Sequence, residues 1–424
     1  MTPRAGAAGP SLWHHSDFLK LWAGQTVSEL GTVVTRTAVP LVALLVLGAG
    51  PYEMALLVVA GSLAVLVVGL VAGAWVDRLR RRPLLIGTDA VRSLLLLSIP
   101  AAFAMGTLGM EQLFVVVFAE GCLGALFDAA YPAYVPSLIG ADRVVEGNSK
   151  LATSSSLAEI GGPGLAGFLV QLLSAPFAVL VDAVSFGVSA LSLLLIRTPE
   201  PSRPPRTTAT PIAQEIAEGL RLVRQHRVLF PIAMRSIVAH VAGSFYGVLY
   251  TLYLIEDLDL PPFLLGVVIS AGGVGSLVGS LFASRVIRAI GLGPALIWTA
   301  LGASAIGILT PLAQGPLLLA TAMVFIPQLV GDGLQTIEGV AELSLVQGLS
   351  PDRVLGRVNA TLEVFSHGIA YPIGAIAAAG VAGIIGVRGG IALGWAGMAV
   401  SIVFLVLSPL PRIRSISDEV AVDG

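Results

Sequence analysis

The chain has 424 residues, 55% of them hydrophobic and 12% charged, with a formal net charge of −2 and a mean hydropathy of +0.89. Soluble domains carry about 25% charged residues, whereas here Leu56 to Val76 and Ile391 to Pro411 hold no charge at all. A soluble enzyme is excluded, because runs of about 20 apolar residues cross the ~30 Å hydrocarbon layer as helices. The single Cys122 excludes an intrachain disulfide and a cysteine metal cluster, and its apolar surroundings suit a small packing residue. Met1 to Asp17 lacks a basic-then-apolar pattern with a cleavage site, so the first apolar segment is expected to stay as a span.

In chain order, apolar runs between turn and charge signals predict twelve spans: 18–47, 52–76, 84–108, 111–138, 147–174, 176–197, 228–255, 262–287, 293–313, 316–345, 355–380 and 387–410. Short connections such as Gly48-Ala49-Gly50-Pro51 and Ser174-Ala175-Pro176 are tight turns between antiparallel helices. The expected organisation is a tail at 1–17, a first six-helix half at 18–197, a linker at 198–227, a second half at 228–410 and a tail at 411–424.

Charge supports an even count. Of the 24 lysines and arginines, 20 fall in the termini and the even-numbered connections, three (Arg36, Arg92, Arg235) lie inside spans, and only Arg388 is on the other side. Cytoplasmic loops attract positive charge, so both termini are expected in the cytoplasm. The chain also repeats: Asp142-Arg143-Val144 returns as Asp352-Arg353-Val354 at an offset of 210, at the same topological point of each half. Parallel six-helix repeats are one architecture of secondary transporters, with substrate held between the halves near the midplane. The fold class expected is an all-α polytopic membrane protein with twelve transmembrane helices in two six-helix halves related as a parallel pseudo-repeat.

The linker begins with five prolines between Arg197 and Pro211, a semi-rigid spacer. Ile212, Ile216, Leu220 and Val223 then recur at three to four residues, which predicts an amphipathic helix on the inner membrane surface that tethers the halves.

After span 2 comes Gly73-x-x-x-Asp77-Arg78-x-Arg80-Arg81-Arg82. This resembles the loop 2–3 signature of the major facilitator superfamily, usually G-x-x-x-D-R-x-G-R-R/K, with Arg80 at the usual second glycine. Gly73 allows close helix approach. Asp77 is placed to bond the positive start of a helix in the other half. Arg78, Arg81 and Arg82 anchor the turn and are placed to pair with acids across the interface. Gly162-Pro163-Gly164-Leu165-Ala166-Gly167 in span 5 resembles the Gly-Pro motif of exporters in that superfamily, with Ala158 and Ala166 at two usual glycines. Proline kinks a helix and glycine smooths its face. Trp22-Ala23-Gly24-Gln25-x-x-Ser28, Asp89-x-x-Arg92 and Pro351-Asp352-Arg353-x-x-Gly356-Arg357-x-Asn359 look like the drug-efflux branch that includes macrolide-efflux and enterobactin-exporter proteins. The resemblance covers nearly the whole chain. The arginine that many proton antiporters of the superfamily carry in span 4 is missing, and Glu120 stands before Gly121 and Gly124.

Charges inside spans are costly and mark function by default. Glu29 lies about 16 Å into span 1 at 1.5 Å per residue, and Arg36, two turns on, shares its face. Glu29 is the first candidate for a protonatable coupling or substrate-cation site, with a structural ion pair as the other reading. Arg36, Glu159, Arg235, Asp332, Glu363 and His367 are further coupling candidates, though a lone histidine in a span, His240 or His367, reads more readily as a hydrogen-bonded packing residue than as a proton carrier. The offset of 210 maps Asp128 onto Glu338, and both are expected to lock onto the arginines of loops 2–3 and 8–9 (Arg285, Arg288) as inner gates.

The resemblance implies proton-coupled efflux of a small hydrophobic compound by alternating access, around a cavity lined by spans 1, 4, 7 and 10. It implies a bacterial-type inner membrane, a monomer, contact with membrane lipid, and no enzyme activity. No cofactor is expected beyond the proton gradient, no metal site, no Walker loop and no nucleic-acid partner. An uptake symporter on the same fold and a non-transporting membrane sensor or scaffold stay open as alternatives at this point.

Overall fold

The structure is a computed structural model that describes residues 11–76, 79–200, 212–350 and 352–415, with the side chains of 70–76, 141, 212–216, 352 and 353 outside the description. The described residues are helical almost throughout. Six helices form the first half: α1 (Ser16–Leu47), α2 (Pro51–Val76), α3 (Arg81–Ala104), α4 (Met110–Ile139), α5 (Val144–Leu173) and α6 (Ala175–Leu194). The linker helix (Ile212–Gln225) follows. The second half holds α7 (Leu229–Asp257), α8 (Pro262–Ile290), α9 (Leu292–Leu312) and α10 (Leu317–Leu349), then α11 (352–385) and α12 (387–406).

The last two spans meet in a tighter reversal than predicted. Helical residues run on from 354 to 406, a stretch of 53 that would be about 80 Å long if straight. Gly386 breaks it with φ 78° and ψ 169°, a backbone region that glycine alone adopts readily. A β-carbon on Gly390 would lie 3.9 Å from Ala382 Cβ, as a hairpin demands. A single residue therefore makes the turn for which the sequence allots 381–386, and the described residues hold twelve helices of spanning length.

Spans 10 and 11 each contain a π turn, Pro327–Gly331 and Val364–Ala370, as does the end of α7 at Tyr253–Asp257. Such turns rotate the following residues relative to an unbroken α-helix and frequently mark functional sites. Asp332 follows the first and His367 lies in the second.

The halves touch through α5 against α8 and α2 against α11. Three buried apolar clusters define the shape. One joins both halves: it takes Ala38 to Leu44 of α1 and Val170 of α5 together with Leu249 of α7, Leu265 of α8 and Ala375 of α11. At the end that carries the arginines, each half keeps its own core. Phe18, Leu85, Tyr134 and Leu193 pack in the first, and Ile232, Leu296, Leu345 and Leu405 in the second. The molecule is thus sealed across the halves at one end and split at the basic end.

The linker helix docks on the base of the second half. Val223 enters that half's basic-end core, Glu218 pairs with Arg357 of α11 at 2.7 Å, and a β-carbon on Gly219 would lie 2.5 Å from Arg357 O. Ile212 and Ile216, expected on its apolar face, have side chains outside the described residues.

Candidate transport pathway

The sealed end is closed by the Gly-Pro segment. The N–H of Gly164 donates to Ser270 Oγ of α8 at 2.9 Å. A β-carbon on Gly167 would lie 2.2 Å from Pro262 O, and one on Gly266 would lie 2.3 Å from Pro163 O. Gly162 faces inward, where a β-carbon would lie 2.5 Å from Val33 of α1. The motif therefore serves as a backbone-to-backbone contact between the halves.

In the first half, Glu29 accepts a hydrogen bond from Ser155 Oγ of α5 at 3.0 Å and lines a cavity of 220 Å³ with Gln25, Thr26 and Tyr131. Arg36, on the same face of α1, pairs with Glu159 of α5 at 2.5 Å. The two members of that pair keep 60% and 41% of their side-chain surface open. A charge open at this depth faces a water-filled space rather than lipid. Arg92 of α3 is bonded to Glu120 of α4 and lies 3.9 Å from the Phe186 ring centre, a buried cation held by a carboxylate and an aromatic face. The arginine absent from span 4 is matched by one that reaches span 4 from span 3, beside Gly124.

The inner-gate pairings differ from expectation. Arg81 Nη1 donates to Ala133 O of α4 at 2.9 Å, and Arg82 donates to Leu193 O and Leu194 O of α6, each at 3.0 Å. Glu200 accepts the backbone N–H groups of Arg81 and Arg82 at 3.0 and 3.2 Å and so caps the positive start of α3. These arginines tie the first half together, and Asp128 is not their partner. The physical reason is proximity: a carbonyl of α4 and the end carbonyls of α6 lie within hydrogen-bond reach of these arginines and take their donors. Asp77 and Arg78 lie outside the described residues, and of Gly73 only its place in α2 lies within them. Glu338 is likewise taken up by a different cation. It is bonded to Arg235 of α7, which also reaches Glu342 at 3.3 Å, in place of Arg285 or Arg288. Arg285 instead stands over the Phe282 ring.

Asp332 accepts from Gln328 Nε2 at 2.8 Å, and Gln328 Oε1 accepts from Tyr250 OH at 3.1 Å. A β-carbon on Gly272 would lie 2.1 Å from Asp332 Oδ2, so that glycine makes room for the carboxylate. The group opens on a cavity of 390 Å³ inside the second half, with Tyr246 and Trp395 in its wall. His240 and His367 face each other at 3.1 Å between α7 and α11, and His367 also reaches Glu363 at 3.3 Å. The sequence signals neither this pairing nor the Glu200 cap, because residues 127 and 119 positions apart leave no spacing to read.

Twelve long apolar helices among the described residues, in two halves sealed together at one end and with an open ion pair between α1 and α5, define a polytopic membrane protein. The family model for the Major Facilitator Superfamily matches residues 21–375, and the chain belongs to that family. It is 24% identical over 232 residues to the uncharacterized MFS-type transporter YvqJ of Bacillus subtilis, covering 54% of this chain and 55% of that one. It is 29% identical over 234 residues to the multidrug efflux pump Tap of Mycolicibacterium fortuitum (53% and 56%), and 23% over 221 residues to macrolide efflux protein A of Streptococcus pyogenes (51% and 53%). The chain thus spans about half the length of these curated relatives in each match. Among solved structures it resembles a mutant of the nucleoside transporter NupG, with a TM-score of 0.75 at 11% identity, covering 92% of this chain and 99% of that one. It also resembles a bacterial homologue of the iron transporter ferroportin in an inward-facing state, at 0.71 and 19%, covering 93% and 98%. These likenesses concern the fold.

Proposed function

We propose that this transporter exports a small, largely hydrophobic organic compound, such as a drug, an antibiotic or a siderophore-like molecule, in exchange for inward proton flow. The basic end then faces the cytoplasm of a bacterial-type inner membrane, with both termini inside. The observation that carries the reading is the split core. One apolar cluster closes the far end across both halves while the basic end holds two separate cores, as expected of one state of an alternating-access cycle. Resemblance to Tap and macrolide efflux protein A in sequence supports the outward direction.

Within the cleft, Glu29 is the proposed proton carrier of the first half. It is held by a neutral hydroxyl, whereas Glu159 is held by Arg36. Protonation removes a charge from the cleft and shifts the balance between the two states. The test is dye or drug accumulation in an efflux-deficient host, with and without a protonophore. Export predicts lower accumulation with the protein, reversed by the protonophore, and loss of that effect in Glu29→Gln. Higher accumulation with the protein overturns export in favour of uptake, and protonophore-insensitive efflux overturns the coupling.

A further inference from the structure

The contact between α7 and α11 has a proton count that two neutral histidines cannot meet. His240 Nδ1 lies 2.7 Å from Ser236 O. A carbonyl oxygen only accepts, so this Nδ1 carries a hydrogen and His240 Nε2 is left as a bare lone pair if the ring is neutral. His240 Nε2 lies 3.1 Å from His367 Nε2. His367 Nδ1 lies 3.3 Å from Glu363 Oε1. The chain from Ser236 O to Glu363 therefore has three contacts, and each needs one proton between its atoms. Two neutral imidazoles and an ionised carboxylate supply only two. The count is the same wherever the third proton rests. With Glu363 ionised it lies between the two Nε2 atoms; with Glu363 protonated the carboxyl donates to His367 Nδ1, His367 donates from Nε2 to His240, and His240 keeps its hydrogen on Nδ1.

We infer that His240, His367 and Glu363 form a binding site for one proton that straps α7 to α11. Loaded, the site is neutral overall, an imidazolium pair balanced by a carboxylate. Empty, it carries one negative charge and one contact between facing lone pairs, which repel. Ser236 Oγ and Ser366 Oγ, 3.0 Å apart, hold the same two helices together beside it.

The site opens one way. Glu363 and His367 line a cavity of 510 Å³ whose other wall is Ser62, Val65 and Leu66 of α2. The inner end stops at a backbone carbonyl, which does not relay protons. It is a store, loaded and emptied from the cleft between the halves, rather than a through path. The charged neighbours are few. On α7, Arg235 is already bonded to Glu338 and Glu342. On α11, Tyr371 places its hydroxyl against Gly247. From α2 the cavity wall presents Ser62 and no charged group among the described residues. Gly368, next to His367, packs on Leu66, where a β-carbon would lie 2.8 Å from Leu66 Cδ1. Loading therefore acts directly beside the contact between halves.

Use of this store in coupling rests on the proton-driven reading above; the binding itself does not. The experiment is a pH titration of the purified full chain by histidine nitrogen NMR. Expected is one joint step for His240 and His367, of one proton per molecule. In His240→Gln, His367 is expected to titrate alone at a shifted midpoint, and Glu363→Gln is expected to move the joint step. Two independent steps in the wild type, with the His367 midpoint unchanged in His240→Gln, overturn the inference without needing any variant to transport. In proteoliposomes, coupling through the store predicts fewer protons per exported dye in His367→Gln than in the wild type. An unchanged ratio overturns its use in coupling. Absence of proton-driven flux in the wild type overturns the function proposed above and leaves the joint titration standing or falling by itself.

Discussion

Replacing Gly167 with alanine adds one methyl where α5 meets α8 backbone to backbone. The new carbon would lie 2.2 Å from Pro262 O, 3.0 Å from Pro262 C and 3.1 Å from Phe263 Cα. None of these atoms belongs to a side chain that can rotate away. Restoring an ordinary carbon–oxygen contact of about 3.3 Å needs the two helices to part by about 1 Å. Overpacking of this kind costs about 1–3 kcal/mol. The contact lies at the sealed end, so the strain bears on the state in which that end is closed and is relieved when the halves separate there. A bias of that size moves a two-state balance about 5- to 150-fold toward the state open at the far end. The assay is labelling of Ser270→Cys, with Cys122→Ser to remove the native thiol, by an impermeant maleimide applied from the face opposite the basic end. Labelling is expected to rise in Gly167→Ala. Gly161→Ala is the control from the same segment, since nothing lies within 4 Å of its added carbon, and it is expected to label like the parent. Equal labelling in all three refutes the assignment of closure to this contact.

Arg235→Met leaves Glu338 and Glu342 without their cation, and removing one partner from a buried pair costs about 3–5 kcal/mol; thermal unfolding in detergent is expected to fall markedly and to recover in part when Glu338→Gln is added. A thermal midpoint equal to the wild type's counts against a buried pair. Gly386→Ala meets no neighbouring atom within 4 Å, so its cost of about 1–3 kcal/mol comes from backbone conformation alone. A lowered unfolding midpoint is expected, and an unchanged one shows that the reversal between α11 and α12 does not need this conformation.

The twelve crossings were legible because apolar runs, glycine-proline turns and the placement of 20 basic residues all report the same count. The reversal at Gly386 was less so, because Ala377 to Ile385 continues an apolar helix with no proline to stop it, and only the backbone angle marks the turn. The candidate site was legible as a set of costly residues, since any charge in a span stands out. Their partners were not. Arg36 with Glu159 and Arg235 with Glu338 are pairs between helices, set by rotation and tilt that a periodic pattern leaves free. The loop arginines misled for a related reason. A basic loop next to an acid on a pseudo-symmetric map suggests an ion pair, but a backbone carbonyl of α4 and those at the end of α6 take the same donors instead.

The repeat also shows where the two halves part in chemistry. The offset of 210 sets Glu338 against Asp128 and Arg235 against Gln25. In the second half the arginine takes up its carboxylates and is itself nearly buried. In the first half, Gln25 is neutral and donates to Ser189 Oγ at 2.8 Å, which in turn donates to Asp89 at 2.6 Å. Asp128 is left on the exposed side of α4, and Arg92, a cation that acts on it, is already bonded to Glu120. Protonating Glu29 or Asp128 therefore breaks no ion pair, whereas protonating Glu338 does. The asymmetry separates two kinds of variant. Glu29→Gln keeps the hydrogen bond from Ser155 available and is expected to hold the unfolding midpoint while losing proton-driven efflux. Arg235→Met is expected to lower the midpoint first. Should Glu29→Gln unfold as easily as Arg235→Met, Glu29 is a structural residue and the movable charge of the first half lies elsewhere, with Asp128 the next carboxylate to neutralise.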